Sequence, residues 1–264
     1  MRRTTLAVFS LLALASCRPD TVEIAYRFPE GARFAYTLVA RADAAWNIGS
    51  PGNGSYEVTF EVTETIRSSD GDGTTVAVTM DPVEVAEDNL PSPGAERRSF
   101  TLRVGDNGEV LDVLEVDGVP ASALDAEQLV FIGTYRPPLP LEPITLHDDW
   151  EAQQELRAQS AFHEIATAGE LVGLGRDEDG KLARLLYEGI GPLSWTTELP
   201  QGAAELTGSV RTTSRADFDI DGGFLRASSS STSGDFDVRV VTEEGTLPLT
   251  GKLRLDLDLE LERI

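Results

Sequence analysis

Few side chains in this sequence are of the kinds that make and break bonds. There are only two histidines. His147 stands in the run His147-Asp148-Asp149-Trp150, where an imidazole beside two carboxylates could ligate zinc or serve a hydrolase. A closed metal site needs three or four ligands, so this run reads more simply as a solvated loop. His163 falls in a stretch of strand-like alternation, on what reads as its wet face. The other candidate is Asp217, Asp219 and Asp221 followed by Gly222, which has the opening spacing of a calcium loop. Alternation would put those three carboxylates on one strand face. The twelfth position is Ser228, where such a loop needs a bidentate glutamate, so an acidic strand entering a glycine turn is the competing reading. Asp177 and Asp179 make a weaker pair. No nucleophile elbow, paired-histidine zinc helix or phosphate-cradling glycine loop occurs. The expectation is a chain with no catalytic residue, no cofactor and no resident metal; the enzyme alternative is a metal hydrolase built on His147, Asp148 and Asp149.

The remaining reactive group is the thiol of Cys17, the single cysteine. Arg2 and Arg3 precede an apolar run from Leu6 to Leu14, too short to span a bilayer, and then Leu14-Ala15-Ser16-Cys17. This arrangement resembles the lipobox of bacterial lipoproteins. The resemblance implies cleavage before Cys17, lipidation of its thiol and attachment to a membrane through acyl chains such as palmitate. An ordinary cleaved signal peptide is the other reading, but it leaves a lone thiol unexplained in an exported chain. Two or three acyl chains anchor a protein far better than one. Arg18 follows, where inner-membrane lipoproteins of diderm bacteria often carry Asp, so the resemblance favours the outer membrane if the cell has two. The boundaries are residues 1–17 as signal and lipobox and 18–264 as one β-rich domain, with a possible subdivision near 134–149.

Removing the leader takes Arg2 and Arg3 away, and the formal net charge falls from −23 to −25. A surface of that sign repels nucleic-acid phosphates and anionic headgroups, which excludes nucleic acid as a partner and is otherwise simply solubilising.

The elements that would carry any site alternate with a period of two. The clearest is the C-terminal run Leu247, Leu249, Leu253, Leu255, Leu257, Leu259 and Leu261, interleaved with Lys252, Arg254, Asp256, Asp258 and Glu260. One face is dry and the other wet, as in a β-strand, whereas a helix would scatter the leucines. At about 3.3 Å per residue the run reaches roughly 45–50 Å, so its sheet must twist and curl. The same period marks Ile24 to Phe28, Phe34 to Trp46, Tyr56 to Ile66, Val76 to Met80 and Phe100 to Val104. Asp106-Asn107-Gly108 is a strong hairpin signal before Val110 to Val116. Pro82 predicts a strand edge. Later segments are Phe162 to Gly175, Leu182 to Tyr187, one around Trp195, and Leu206 to Ile220. The period slips at the serines Ser228 to Ser231, which predicts a bulge there. One helix is predicted from a cap at Ser122 to a stop before Pro137, followed by an extended proline strap through Pro143.

These readings give an all-β, mainly antiparallel fold: a long curved sheet or half-barrel with one short helix packed on it. Small residues at positions expected to face inward, Ala40, Ala42, Ala44, Thr212, Ser214 and Ala216, leave either a packed interior or a groove for an apolar ligand. Phe28-Pro29-Glu30-Gly31, Phe34, Tyr36, Pro143-Ile144 and Asp149-Trp150 resemble the "F-x-x-G-x-x-Y-x-Y … G-D-x-W" pattern of uncharacterised β-rich envelope lipoproteins, with His147 where glycine is typical. More distantly, the inferred architecture is similar to the LolA/LppX type of half-barrel lipid carrier, which implies lipid handling without naming a binding residue. The functional expectation is a membrane-anchored cell-envelope lipoprotein that binds a hydrophobic ligand without catalysis. The alternative is a structural or assembly partner of an envelope protein complex. A transmembrane barrel is a third reading, disfavoured because the three tryptophans and five tyrosines show no girdle spacing.

Overall fold

In the computed structural model the described residues are 21–90, 96–123, 136–158, 161–178, 180–199, 202–242 and 248–264. They form an open sheet of twelve antiparallel strands, not closed into a barrel. The strands are β1 (Arg33–Ile48), β2 (Ser50–Asp70), β3 (Gly73–Asp88), β4 (Arg98–Val104), β5 (Val110–Val116) and β6 (Val119–Pro120), then β7 (Asp149–Ala158), β8 (Ala161–Asp177), β9 (Gly180–Leu199), β10 (Gly202–Asp219), β11 (Phe224–Thr242) and β12 (Leu249–Arg263). Their spatial order is β6-β5-β4-β3-β2-β1-β12-β11-β10-β9-β8-β7. Each half of the chain is thus a meander, and the halves join where β1 pairs with β12, from Tyr36 opposite Arg263 to Ile48 opposite Gly251. The leucine ladder therefore lies at the centre of the sheet.

The lengths follow from the alternation. Eight strands hold 15 to 21 residues, far above the usual five or six. Strands this long coil, and the coil gives the sheet a concave inner face. On that face lie Tyr36, Leu38, Ala40, Ala42 and Ala44 of β1, all buried. The outer face is charged; Arg41 donates to Glu57 at 2.7 Å and to Glu260 at 2.8 Å, bridging both neighbouring strands.

Because β6 and β7 are opposite edges, the connection from residue 121 to 148 runs from one edge of the sheet to the other. Its described part, residues 136–148, packs with the N-terminal segment against one end of the concave face. Val22 and Ile144 exchange two backbone hydrogen bonds, and the Leu139 N–H donates to the Asn107 carbonyl at 2.8 Å in the β4–β5 turn. The Tyr26 hydroxyl donates to the Pro137 carbonyl at 3.2 Å. Tyr26 stacks on Phe28 at 5.6 Å and meets the edge of Phe218 from β10 at 5.2 Å. The main core forms here, with Ile24, Ile66, Val62, Leu139, Leu171, Leu185 and Phe218 each at most 2% exposed.

Three expectations are corrected. Ile24 to Phe28 is not a sheet strand: it lies in an extended segment that pairs with the strap through one isolated bridge at Val22. Leu182 to Tyr187 and the segment around Trp195 are one strand, β9, which accommodates Gly189, Gly191 and Pro192 without a break. The bulge lies at Arg226, not in the serine run: Asp217 pairs with Ala227 and Phe218 with Leu225, while Ser228 to Ser231 stay in register. The predicted hairpin at Asp106-Asn107-Gly108 is present, with Gly108 at a φ of 85°. Pro82 sits in β3 beyond the last pair with β4, Met80 opposite Arg98, on an edge where its missing N–H is not needed. Of the predicted helix, Ala121–Ala123 forms a 3-10 turn; residues 124–135 lie outside the described residues, as do Cys17 and the leader.

Candidate functional site

Antiparallel register places side chains in rows across the strands, and each row on the inner face points the same way. One row holds Tyr187, Ser214, Ser230, Leu259 and Ala40; the next holds Gly189, Thr212, Thr232, Leu257 and Ala42; a third holds Gly191, Val210, Gly234, Leu255 and Ala44. Large leucines from β12 are therefore flanked on both sides by glycine, alanine, serine or threonine. A leucine spine with small flanks cannot fill a curved face, and a cavity of about 140 Å³ remains beside it.

Its wall is predominantly apolar: Leu255, Leu257, Leu259 and Leu261 on one side, Ile165, Leu193, Trp195, Val210 and Phe236 on the other, with Pro137 and Pro138 of the strap. Leu255, Leu257 and Leu259 stay only half-buried although they sit on the inner face of the central strand. Trp195 meets Phe236 edge-on at 5.0 Å and Trp150 meets Tyr187 at 5.6 Å, fixing two corners of the wall. The polar contribution is a band of hydroxyls, Thr167, Thr212, Ser214, Ser228, Ser230 and Thr232, with Arg136 and Arg215 at the lining as well. Within it the Thr232 hydroxyl donates to that of Thr212 at 2.9 Å.

The strap is latched beside this cavity. Arg136 (6% exposed) forms a two-pronged ion pair with Glu64 of β2 (1%), its Nε donating at 3.0 Å and its Nη2 to the second carboxylate oxygen. The guanidinium lies 5.2 Å from the ring centres of both Tyr26 and Phe28. Burial pushes the Tyr26 and Tyr36 phenols well above their ordinary value of 10.0, with the Glu64 carboxylate adding to the rise. Tyr187, 2% exposed, is raised too, again chiefly by burial.

No family model matches the chain, and no curated protein matches it. Among solved structures it is similar to DynF from the dynemicin biosynthesis pathway of Micromonospora chersina, at 7% identity over 91% of this chain and 85% of that one. The TM-score is 0.18, too low for any argument from that likeness.

The residues singled out from sequence lie elsewhere. Asp217 and Asp219 stand two apart on β10, whose pairing with β9 runs without a shift, but β10 ends at Asp219 and Asp221 belongs to the turn, so the three do not form one strand face. The bulge re-aims Arg226, whose Nη2 reaches Asp219 and whose Nη1 reaches Asp177, each at 2.6 Å. Asp219 also accepts the Gly222 N–H at 2.6 Å, Asp221 faces Lys181 at 3.9 Å and Asp217 faces Arg184 at 4.0 Å. Among the described residues no three acidic, histidine or cysteine side chains form a group able to hold a metal ion. His147 and Asp148 shape a turn. The His147 N–H donates to the Leu171 carbonyl at 2.8 Å, and the Asp148 carboxylate accepts the Thr145 N–H at 2.7 Å, which lowers its pKa. The His147 ring is exposed beside Glu170 at 3.2 Å. His163 lies in β8 opposite Leu193.

Glu64, Arg136 and Tyr187 carried no expectation from sequence. A signal did exist for Glu64: it falls between Val62 and Ile66 in the dry alternation of β2, and a carboxylate in such a row demands a buried cation.

Proposed function

We propose that this chain is a lipoprotein of the bacterial cell envelope, tethered through acyl chains on Cys17, that binds a hydrophobic molecule on the concave face of its sheet without catalysing a reaction. The observation that carries the binding reading is the half-buried leucine spine of β12 beside an apolar cavity of about 140 Å³. Monomer cores normally close such space, and a pocket lined by apolar groups with a few polar ones is the usual form of a ligand site. The tether rests on the lipobox of residues 14–17 alone.

The test is native mass spectrometry and organic extraction of the protein purified from the envelope of an expressing bacterium. A stoichiometric co-purified lipid-like molecule is expected. A ligand-free protein that takes up no fluorescent fatty-acyl probe removes the binding reading. The second reading, an assembly partner in an envelope complex, draws on the outer half of β3, where Val83 and Val85 are 57% and 43% exposed and where, among the described residues, β2 pairs on one side but β4 no longer pairs on the other beyond Met80. A ligand-free protein that co-purifies with a defined envelope protein would favour it.

A further inference from the structure

The N-terminal segment decides which end of the molecule stands next to the tether. Val22 is five positions after Cys17, and a chain of that length reaches at most about 18 Å. Val22 is fixed to the strap by its two backbone hydrogen bonds with Ile144, and Ile24 behind it is buried. Strands of 15 to 21 residues are about 50–70 Å long. Acyl chains on Cys17 would therefore keep the strap end of the sheet near the bilayer. The opposite end, where β1 finishes at Ile48 and β12 begins at Leu249, can stand well away from it.

The strap end carries apolar side chains that the fold does not use. Leu139 and Ile144 turn into the core, but Leu141 between them is 83% exposed and Leu146 is 45% exposed. The His147 N–H donates to the Leu171 carbonyl and the Leu171 N–H to that of Asp148, which brings Leu146 level with Val172, also exposed. One exposed leucine is ordinary; three such residues on the rim nearest the tether are not scattered singly. The turns around them are acidic. Asp70 and Asp72 are exposed between β2 and β3, Asp106 is exposed between β4 and β5, and Glu142 adjoins Leu141. A second copy seated on this end would set those carboxylates against their own kind, and anionic headgroups would be repelled in the same way. Headgroups without net charge are not.

We infer that the strap end docks on the bilayer that holds the tether, with Leu141 and Leu146 sunk among zwitterionic headgroups and the sheet standing out from the surface. The inference rests on acylation of Cys17 and is independent of what the cavity binds. The tether supplies a high local concentration of lipid, so a contact of a few side chains suffices.

The experiment places the acylated full chain in phosphatidylcholine vesicles, with Leu141→Cys or Leu249→Cys as the attachment point for an environment-sensitive dye. Nitroxide groups at known positions on the lipid report the depth of the dye by quenching. A dye at residue 141 is expected about 5–10 Å below the headgroup surface, and one at residue 249 in water. Leu146→Asp should lift the dye at residue 141 towards water, and equimolar phosphatidylglycerol should do the same through the acidic turns. The unlabelled chain controls for the dye's own affinity for lipid: its amides from 141 to 146 should exchange more slowly on vesicles than in amphipol. Four results overturn the inference while the tether stands. They are equal depths at residues 141 and 249, a depth that phosphatidylglycerol fails to reduce, unchanged exchange in the unlabelled chain, and a dye at residue 141 shielded from water yet beyond the nitroxides, as a seated second copy would give. A protein that does not float with the vesicles overturns the tether and the inference together.

Discussion

Removing the guanidinium of Arg136 tests whether the strap is held by its buried ion pair. In Arg136→Met the Glu64 carboxylate, 1% exposed, loses its two-pronged partner, and the Tyr26 and Phe28 rings lose the cation 5.2 Å from each. Breaking a buried pair from one side costs about 3–5 kcal/mol, and the two ring contacts add about 1 kcal/mol. A domain is stable by about 5–15 kcal/mol, so the loss is a large share of the whole. Urea unfolding at neutral pH measures it, and hydrogen exchange locates it: amides of Leu139 and Ile144, bonded to Asn107 and Val22, should lose protection first. The double variant Glu64→Leu, Arg136→Met removes both charges and should return to within about 2 kcal/mol of the parent. If Arg136→Met costs less than about 1 kcal/mol, the pair is not what fastens the strap, and the reasoning from burial to stability fails.

Other outcomes follow from the same geometry. His147 holds a φ of 70° where an L side chain is strained, so His147→Gly should raise stability by about 0.5–1 kcal/mol in a urea titration, despite loss of the exposed contact with Glu170. Tyr26, Tyr36 and Tyr187 are raised above 10.0 in the fold by burial. Their stabilisation is complete below the unfolded value and is lost as pH rises past it, at about 4 kcal/mol per pH unit once the unfolded phenols are ionised. Phenolate absorbance from these three and loss of β-sheet signal should therefore rise together above that pH; phenolate from more than the other two of the five tyrosines in a still-folded protein would contradict the burial. Leu257→Trp places a ring over the cavity floor and should cut binding of a fatty-acyl probe by about tenfold or more, read by fluorescence titration. Cys17→Ser should abolish palmitate labelling and release the protein from the membrane pellet.

The sheet was readable because alternation maps directly onto faces. Ala40, Ala42 and Ala44 were expected to face inward beside small residues, and they stand in the rows that leave the cavity. Alternation fails where two environments share the period. Ile24 and Tyr26 alternate because an extended segment lying under a sheet has one covered side, as a strand does. The serine run looked irregular because hydroxyls on an inner face mimic a lost dry side; in fact Ser228 and Ser230 help line the cavity. Leu182 to Tyr187 and the segment around Trp195 read as two strands because local propensity carries no knowledge of neighbours, and β10 holds the intervening Gly189, Gly191 and Pro192 in the ladder. Tyr187 was beyond reach: nothing local marks a tyrosine whose hydroxyl finds no acceptor. The three aspartates had the right spacing, but the bulge brought an arginine to one of them.

The central strand pair has a kinetic meaning. Ile48 and Gly251 at one end, and Tyr36 and Arg263 at the other, are joined across nearly the whole length of the polypeptide. Each wing can zip locally as its hairpins emerge, yet the middle of the molecule stays unmade until the last fifteen-residue strand has been synthesised. Until then β1 shows a bare ladder edge to every neighbour, so assembly should be slow and prone to mispairing with other copies.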